Sequence, residues 1–188
     1  MKKYLSLVYV VILLLLGCAS ETHQEPLSYL VQSNTMTVNC PNNWVCTGES
    51  DRYTSYIDIT IPESIAWGVV FEGYESIATT RDHLLSLVPL YFGEMKFRKG
   101  TKQVTSEKVT YLVPSLLRAH NTGILSAWYY GEVKCADGTY LFLQFMCPLD
   151  ELDTLQDDIL VFLRSYYDIE ELPELPSEEE LVPLSRGY

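Results

Sequence analysis

Residues 124–146 constrain the fold most. The runs 124–134 and 139–146 are rich in aromatic and β-branched residues, and they flank Asp137-Gly138. Asp-Gly suits a two-residue turn whose central residues take positive φ, so the stretch predicts a β-hairpin. With that turn Ala136 faces Thr139, Cys135 faces Tyr140, and Cys147 lies opposite Trp128. Two long antiparallel strands need further strands or a helix to cover them, so the core must be built on a sheet.

The flanking chain supplies those elements. Residues 35–39 alternate and predict a strand, which Cys40-Pro41-Asn42-Asn43-Trp44 breaks. Residues 56–61 set Ile57, Ile59 and Ile61 against polar neighbours, a half-buried strand ended by Pro62. Residues 67–74 form a more apolar strand. A helix is expected from Thr79, with Asp82 as its reciprocal capping partner and Leu84, Leu87, Val88, Tyr91, Phe92 and Met95 at helical spacing. Pro89 should kink or break it. Residues 103–113 and 116–121 read as two more strands. After the hairpin, Asp150 is expected to cap a last helix with a buried stripe of Leu152, Leu155, Ile159, Phe162, Leu163 and Tyr166. From Glu170 the chain is Pro- and Glu-rich, too poor in apolar residues to support a core, and is expected to be a disordered or extended tail.

The N-terminus sets the compartment. Lys2 and Lys3 precede a 13-residue apolar run, Tyr4 to Leu16, and then Gly17 and Cys18. That run falls short of the ~20 residues a membrane span needs, and its charged start and small closing residue match an export signal. Leu15-Leu16-Gly17-Cys18 resembles the bacterial lipobox, which implies a diacylglyceryl Cys18 as the new N-terminus and a palmitate-bearing, membrane-held protein. Ala19 would stand second in the mature chain, where an inner-membrane retention signal would have Asp, which leans towards the periplasmic face of the outer membrane. The expected organisation is a signal peptide over 1–17, a lipid-anchored tether over 18–33, a folded domain over 34–168 and an acidic tail over 169–188.

Charge narrows the partners. Processing at Cys18 would leave 11 Lys+Arg against 25 Asp+Glu, a net charge near −14. Such a chain is poorly suited to phosphate backbones or anionic surfaces, which argues against nucleic acid. One basic cluster, Lys96, Arg98, Lys99 and Lys102, is open to an acidic partner or to the protein's own tail; its plain reading is a solvated turn. Trp44, Trp67 and Trp128 read as core.

Export gives the other four cysteines a disulfide reading, since Cys40, Cys46, Cys135 and Cys147 are an even number. The expected register separates Cys135 and Cys147 by seven residues, roughly 23 Å, whereas bridged Cα atoms lie within about 7 Å. If two bridges form, Cys40 and Cys46 must each reach one of the C-terminal pair. That would close a loop of about 90 residues and contribute roughly 4–5 kcal/mol. The alternative is a local Cys40–Cys46 loop with Cys135 and Cys147 unpaired. Five residues separate Cys40 from Cys46 and no His is near, which does not suit zinc, so no metal and no cofactor are expected.

Catalytic motifs are not visible. The chain has three histidines, of which His23 falls in the tether, His83 in a helical first turn and His120 near a strand end. His120 with Ser115 or Ser126 is the one conceivable hydrolytic pair. No Gly-x-Ser-x-Gly elbow or phosphate-binding Gly loop is present.

The order of elements, with Pro41-Asn42-Asn43-Trp44 after a first strand, a tight hairpin, and a C-terminal helix ending in Ser165-Tyr166, resembles PsbP-like and DcrB-like domains over about residues 35 to 168. The resemblance implies an α+β fold, an antiparallel β-sheet flanked by two main helices (a PsbP-like α/β sandwich), and binding or assembly in place of catalysis. The four domain cysteines depart from the family's pattern. The expected function is that of a non-enzymatic, lipid-anchored envelope protein that binds a protein partner or assists envelope assembly. The alternatives are an immunity-type inhibitor of a secreted toxin and a periplasmic hydrolase using His120.

Overall fold

The structure, a computed structural model, describes residues 28–33, 36–50, 55–73 and 92–183. Among them are eleven strands and one α-helix: β1 (Ser28–Ser33), β2 (Met36–Pro41), β3 (Val45–Ser50), β4 (Ser55–Thr60), β5 (Trp67–Gly73), β6 (Phe92–Phe97), β7 (Thr101–Val104), β8 (Lys108–Ala119), β9 (Leu125–Cys135), β10 (Tyr140–Pro148), α1 (Leu152–Leu163) and β11 (Val182–Pro183). Every strand pair is antiparallel. β1 and β2 form a ribbon, and the rest form one sheet in the order β11-β6-β8-β9-β10-β5-β4-β3, with β7 also paired to β8. The described residues are thus mainly β with one helix. The helix expected from Thr79 lies outside them, except for Phe92 and Met95, which belong to β6 instead. Glu94 pairs with Arg118 and Met95 with Leu117, so pairing with β8 overrides the helical spacing at that end.

The hairpin forms with its register moved by one residue. Three residues make the turn, Ala136-Asp137-Gly138. The Gly138 amide donates to the Cys135 carbonyl at 3.0 Å, and the Cys135 amide to the Thr139 carbonyl at 2.9 Å. Gly138 takes φ +92°, and Asp137 Oδ1 accepts from the Thr139 amide at 2.9 Å. A left-handed glycine closing a three-residue loop is the next most favourable hairpin after the two-residue kind. Lys134 therefore faces Tyr140, with its ammonium 5.4 Å from the ring centre, and Cys147 faces Ala127 in place of Trp128.

β8 is one strand where two were expected. Pro114 stays in register with Tyr129, and its carbonyl accepts from the Arg98 amide at 3.1 Å. In an antiparallel strand a residue's N and C=O point the same way, so the missing N–H of Pro114 faces away from β9. It falls where the neighbour changes from β6 to β7, so no ladder bond to β9 is lost.

Alternation along β9 sorts the core into two faces. Ala127, Tyr129 and Val133 share a cluster with Leu143 and Phe145 of β10 and with Leu155, Ile159, Phe162 and Leu163 of α1. Trp128 and Tyr130 join Met95, Val113 and Leu117 in the other cluster. Each large side chain removed from water contributes about 1.5–3 kcal/mol. Gly131 interrupts the run for a packing reason. A Cβ there would stand 2.1 Å from the Tyr167 hydroxyl oxygen, and that hydroxyl donates to the Tyr111 carbonyl at 3.1 Å.

α1 buries the expected stripe, Leu155, Ile159, Phe162 and Leu163, with Tyr166 just past its end and Leu152 half-buried. Asp150 does not cap it. A 3-10 turn, Leu149–Glu151, leads in, Glu151 occupies the cap position, and no side chain caps either element. Polar clasps hold the helix: Asn43 Nδ2 donates to Asp158 at 2.8 Å, the Asn39 amide to Ser165 Oγ at 2.8 Å, and Ser64 Oγ to Glu151.

The domain is longer at both ends than 34–168. Residues 28–33, expected in the tether, pair along their whole length with β2. Residues 169–183, expected beyond the core, are laid along the sheet. Ile169, Leu172 and Leu175 pack on the core, Pro176 is buried, and Val182–Pro183 adds to the edge of β6.

Candidate functional site

The residues proposed for lipid attachment, Leu15 to Cys18, lie outside the described residues, as do His23 and His83. The cysteines lie within them, except Cys18. Cys40 and Cys46 are bonded, with Cα atoms 6.3 Å apart, while Cys135 and Cys147 are free. The two long-range bridges are therefore replaced by the local loop. Cys40 ends β2 and Cys46 begins β3, so a turn already brings them together. In the observed register Cys147 lies eight residues beyond the position opposite Cys135, roughly 26 Å away. The loop carries Trp44, stacked on Phe145 with ring centres 5.2 Å apart. Burial, helped by Glu151 and Asp150, pushes the Cys147 thiol up to about 12, and burial also raises Cys135. Neither thiol is poised to ionise near neutrality.

His120 is not brought to a serine nucleophile. It is exposed in the turn after β8, whereas Ser115 and Ser126 are buried within the sheet. Ser115 stands five residues back along the strand, roughly 16 Å away and on the opposite face. Among the described residues no group of three His, Cys, Asp or Glu is placed to hold a metal ion.

The basic cluster is where the structure gathers charge. β6 presents Lys96, the link after it presents Arg98, and β8 presents Arg118 beside Glu94. Arg98 meets Glu174 at 3.1 Å, Lys96 meets Glu180 at 3.8 Å, and Arg118 holds both Glu94 at 3.0 Å and Glu178. The hydrogen bond it donates to Glu178 is the main reason the Arg118 guanidinium is held above its ordinary pKa. Of the cluster read from sequence, Lys96 and Arg98 take part in these ion pairs. Arg118 was missed because only the pairing of β6 with β8 brings it beside Glu94, and twenty-three residues separate the two in the chain.

Where the tail leaves α1 it is clamped. Arg164 donates from Nε to the Ile169 carbonyl and from Nη2 to the Glu170 carbonyl, each at 2.9 Å. Gln103 of β7 takes the Asp168 amide on Oε1 at 2.9 Å and donates to the Asp168 carbonyl. A groove of about 600 Å³ runs along this seam. Its polar lining from Gln103, Lys108 and Arg164 is spent on the chain's own carbonyls, with Lys108 Nζ 3.4 Å from that of Tyr166. Further along, the Tyr129 hydroxyl donates to the Pro173 carbonyl at 3.5 Å.

No family model matches the chain, and no curated protein matches it. Among solved structures it is similar to PA94, a protein of unknown function from Pseudomonas aeruginosa, at 10% identity over 68% of this chain and 88% of that one, with a TM-score of 0.40. It is also similar to LpqN, involved in cell envelope biogenesis of Mycobacterium tuberculosis, at 16% identity over 72% of this chain and 87% of that one, with a TM-score of 0.42. At such scores and identities neither likeness carries an argument about fold or function.

Proposed function

We propose that this is a lipid-anchored protein of the bacterial envelope, of PsbP-like/DcrB-like type, that binds a protein partner or assists envelope assembly and catalyses no reaction. Anchoring rests on Leu15-Leu16-Gly17-Cys18, with Cys18 as the acylated residue and the domain facing the periplasm from the outer membrane. Binding rests on one observation: the sheet edge at β6 already holds an acidic peptide, the protein's own tail, by two ladder residues, Val182 and Pro183, and by ion pairs from the 3-10 turn Glu178–Glu180. A surface so built is a peptide-holding surface whatever else it meets. The immunity-type reading rests on the chain's acidity and envelope location, and part of that acidity is engaged within the chain.

Mass spectrometry of the mature protein from membranes tests the anchor. The expected product begins at Cys18 with acyl chains attached, and Cys18→Ala should leave the membrane fraction. A mature chain without acyl groups would overturn the anchoring. Crosslinking from Lys96 in intact cells tests the binding role, with a discrete protein adduct expected.

A further inference from the structure

We infer that Lys96 and Arg118, with the outer edge of β6, form a receptor surface for an acidic segment of a partner protein, and that residues 177–183, a 3-10 turn followed by a two-residue strand, occupy it as a displaceable stand-in. This deepens the protein-binding reading above by giving the surface and the chemistry of what it takes.

The tail divides at Pro176. Before it, Ile169, Leu172 and Leu175 are set on the core and the clamp of Gln103 and Arg164 fixes the exit. After it, nothing is buried among residues 177–183. Glu178 and Glu180 keep 56% and 57% of their side-chain surface in water, and Val182 is 57% exposed. Two residues join the ladder, and Pro183 has no N–H to give it. Ion pairs as exposed as these are worth little and weaken with salt. The outer segment can therefore leave while the inner one stays.

What it leaves behind has a defined chemistry. An edge strand with free backbone groups accepts another strand. Beside it stand Lys96, 34% exposed, and Arg118, also 34% exposed and oriented by Glu94. The chain carries a net charge of −12, so its overall field disfavours an acidic segment, while the two cations at this edge attract one. Specificity then comes from the contrast as well as from the contacts. A segment that sets two acids in one 3-10 turn, as Glu178 and Glu180 are set, and then runs into a short strand fits the edge.

The test uses the full chain and a fluorescent peptide of residues 175–183. Glu178→Lys/Glu180→Lys reverses the outer contacts and should free the edge, read as faster amide exchange in β6 with β8–β10 unchanged. The peptide should bind this variant roughly tenfold or more tightly than the wild type, where the tethered segment competes at high effective concentration. Binding should weaken with salt and vanish on adding Arg118→Glu. Equal affinity for both chains, no binding to a freed edge, or a β6 edge that stays protected in the variant would each overturn the inference. The peptide reports on the edge alone, so its failure leaves the Cys18 anchor standing, and an unacylated Cys18 leaves the edge result standing.

Discussion

The two elements that follow the hairpin cover the same sheet by different physics. α1 lays Leu155, Ile159, Phe162 and Leu163 on the sheet; the last three are fully dry, and the Phe162 ring packs against those of Trp44 and Phe145. The tail beyond Pro176 lays carboxylates against exposed cations. Burial is non-directional, scales with area and ignores salt, whereas exposed ion pairs are directional, weak and screened. One element is therefore part of the domain's cooperative unit and the other is an attachment to it.

Phe162→Ala should break the first half of that contrast outright. Phe162 is 0% exposed, with its ring centre 6.2 Å from Trp44 and 6.1 Å from Phe145. Truncation should cost about 3–5 kcal/mol, measured as a lower denaturant midpoint for the whole domain. A loss below about 1 kcal/mol would mean that α1 is no more integral than the tail.

Reduction of Cys40–Cys46 comes next. The chain-entropy relation gives a bridge with sequence separation 6 only roughly 2 kcal/mol, half of what a staple to the hairpin would have supplied. Thiol reductant should lower the midpoint by that amount and leave exchange in β11 unchanged, since the loop carries Trp44 and not the tail. A shift twice as large would point to structure in the loop beyond closure.

Alkaline titration acts on the dry half alone. The folded pKa of Cys147 is raised from 9.0 to about 12, and that of Tyr166 from 10.0 to about 12, mainly by burial in each case. A raised folded pKa means the contribution is whole below the unfolded value and is lost as pH climbs towards the folded one. Stability should hold to about pH 9 and then fall by about 1.4 kcal/mol per pH unit for each group engaged. Cys147→Ala/Cys135→Ala, which removes both raised thiols, should delay the onset to about pH 10, and Cys147→Ala alone should flatten the fall between pH 9 and 10. An onset that does not move in the double variant would remove both thiols from the cause.

The dry half is also the half that could be read in advance. The stripe of α1 and the hairpin's two faces are written in 3.6- and 2-residue periods, because burial selects every residue on a face. The slip of one residue at Asp137-Gly138 was not written, because the same dipeptide serves two- and three-residue turns. Residues 169–183 have three apolar anchors among many acids, which by composition is a tail. Their order depends on Arg98, Gln103 and Arg118, contributed by the link after β6 and by β7 and β8, 51 or more residues earlier, and no local pattern announces such partners. The Ser28–Ser33 strand was hidden for the same reason: its partner, β2, supplies the order that its short, non-alternating sequence does not. At the site, Lys96 and Arg98 stood out as charges, but what they hold could come only from the topology.

The smallest effect is the most discriminating. Raising salt from about 0.1 to about 1 M shortens the screening length from about 10 to about 3 Å. The pairs Lys96–Glu180 at 3.8 Å and Arg98–Glu174 at 3.1 Å are exposed enough to feel it. The domain's denaturation midpoint, set by apolar burial, should change by no more than a few tenths of a kcal/mol from these pairs. Amide exchange at Val182 and along β6 should quicken, while Leu172 and Leu175, set on the core, keep their protection. Local opening and global stability would then part company at Pro176, as a segment held by exposed ion pairs and two ladder residues requires. If exchange instead quickens from Ile169 onward, the tail opens as one piece, and the dividing line belongs at the clamp of Gln103 and Arg164.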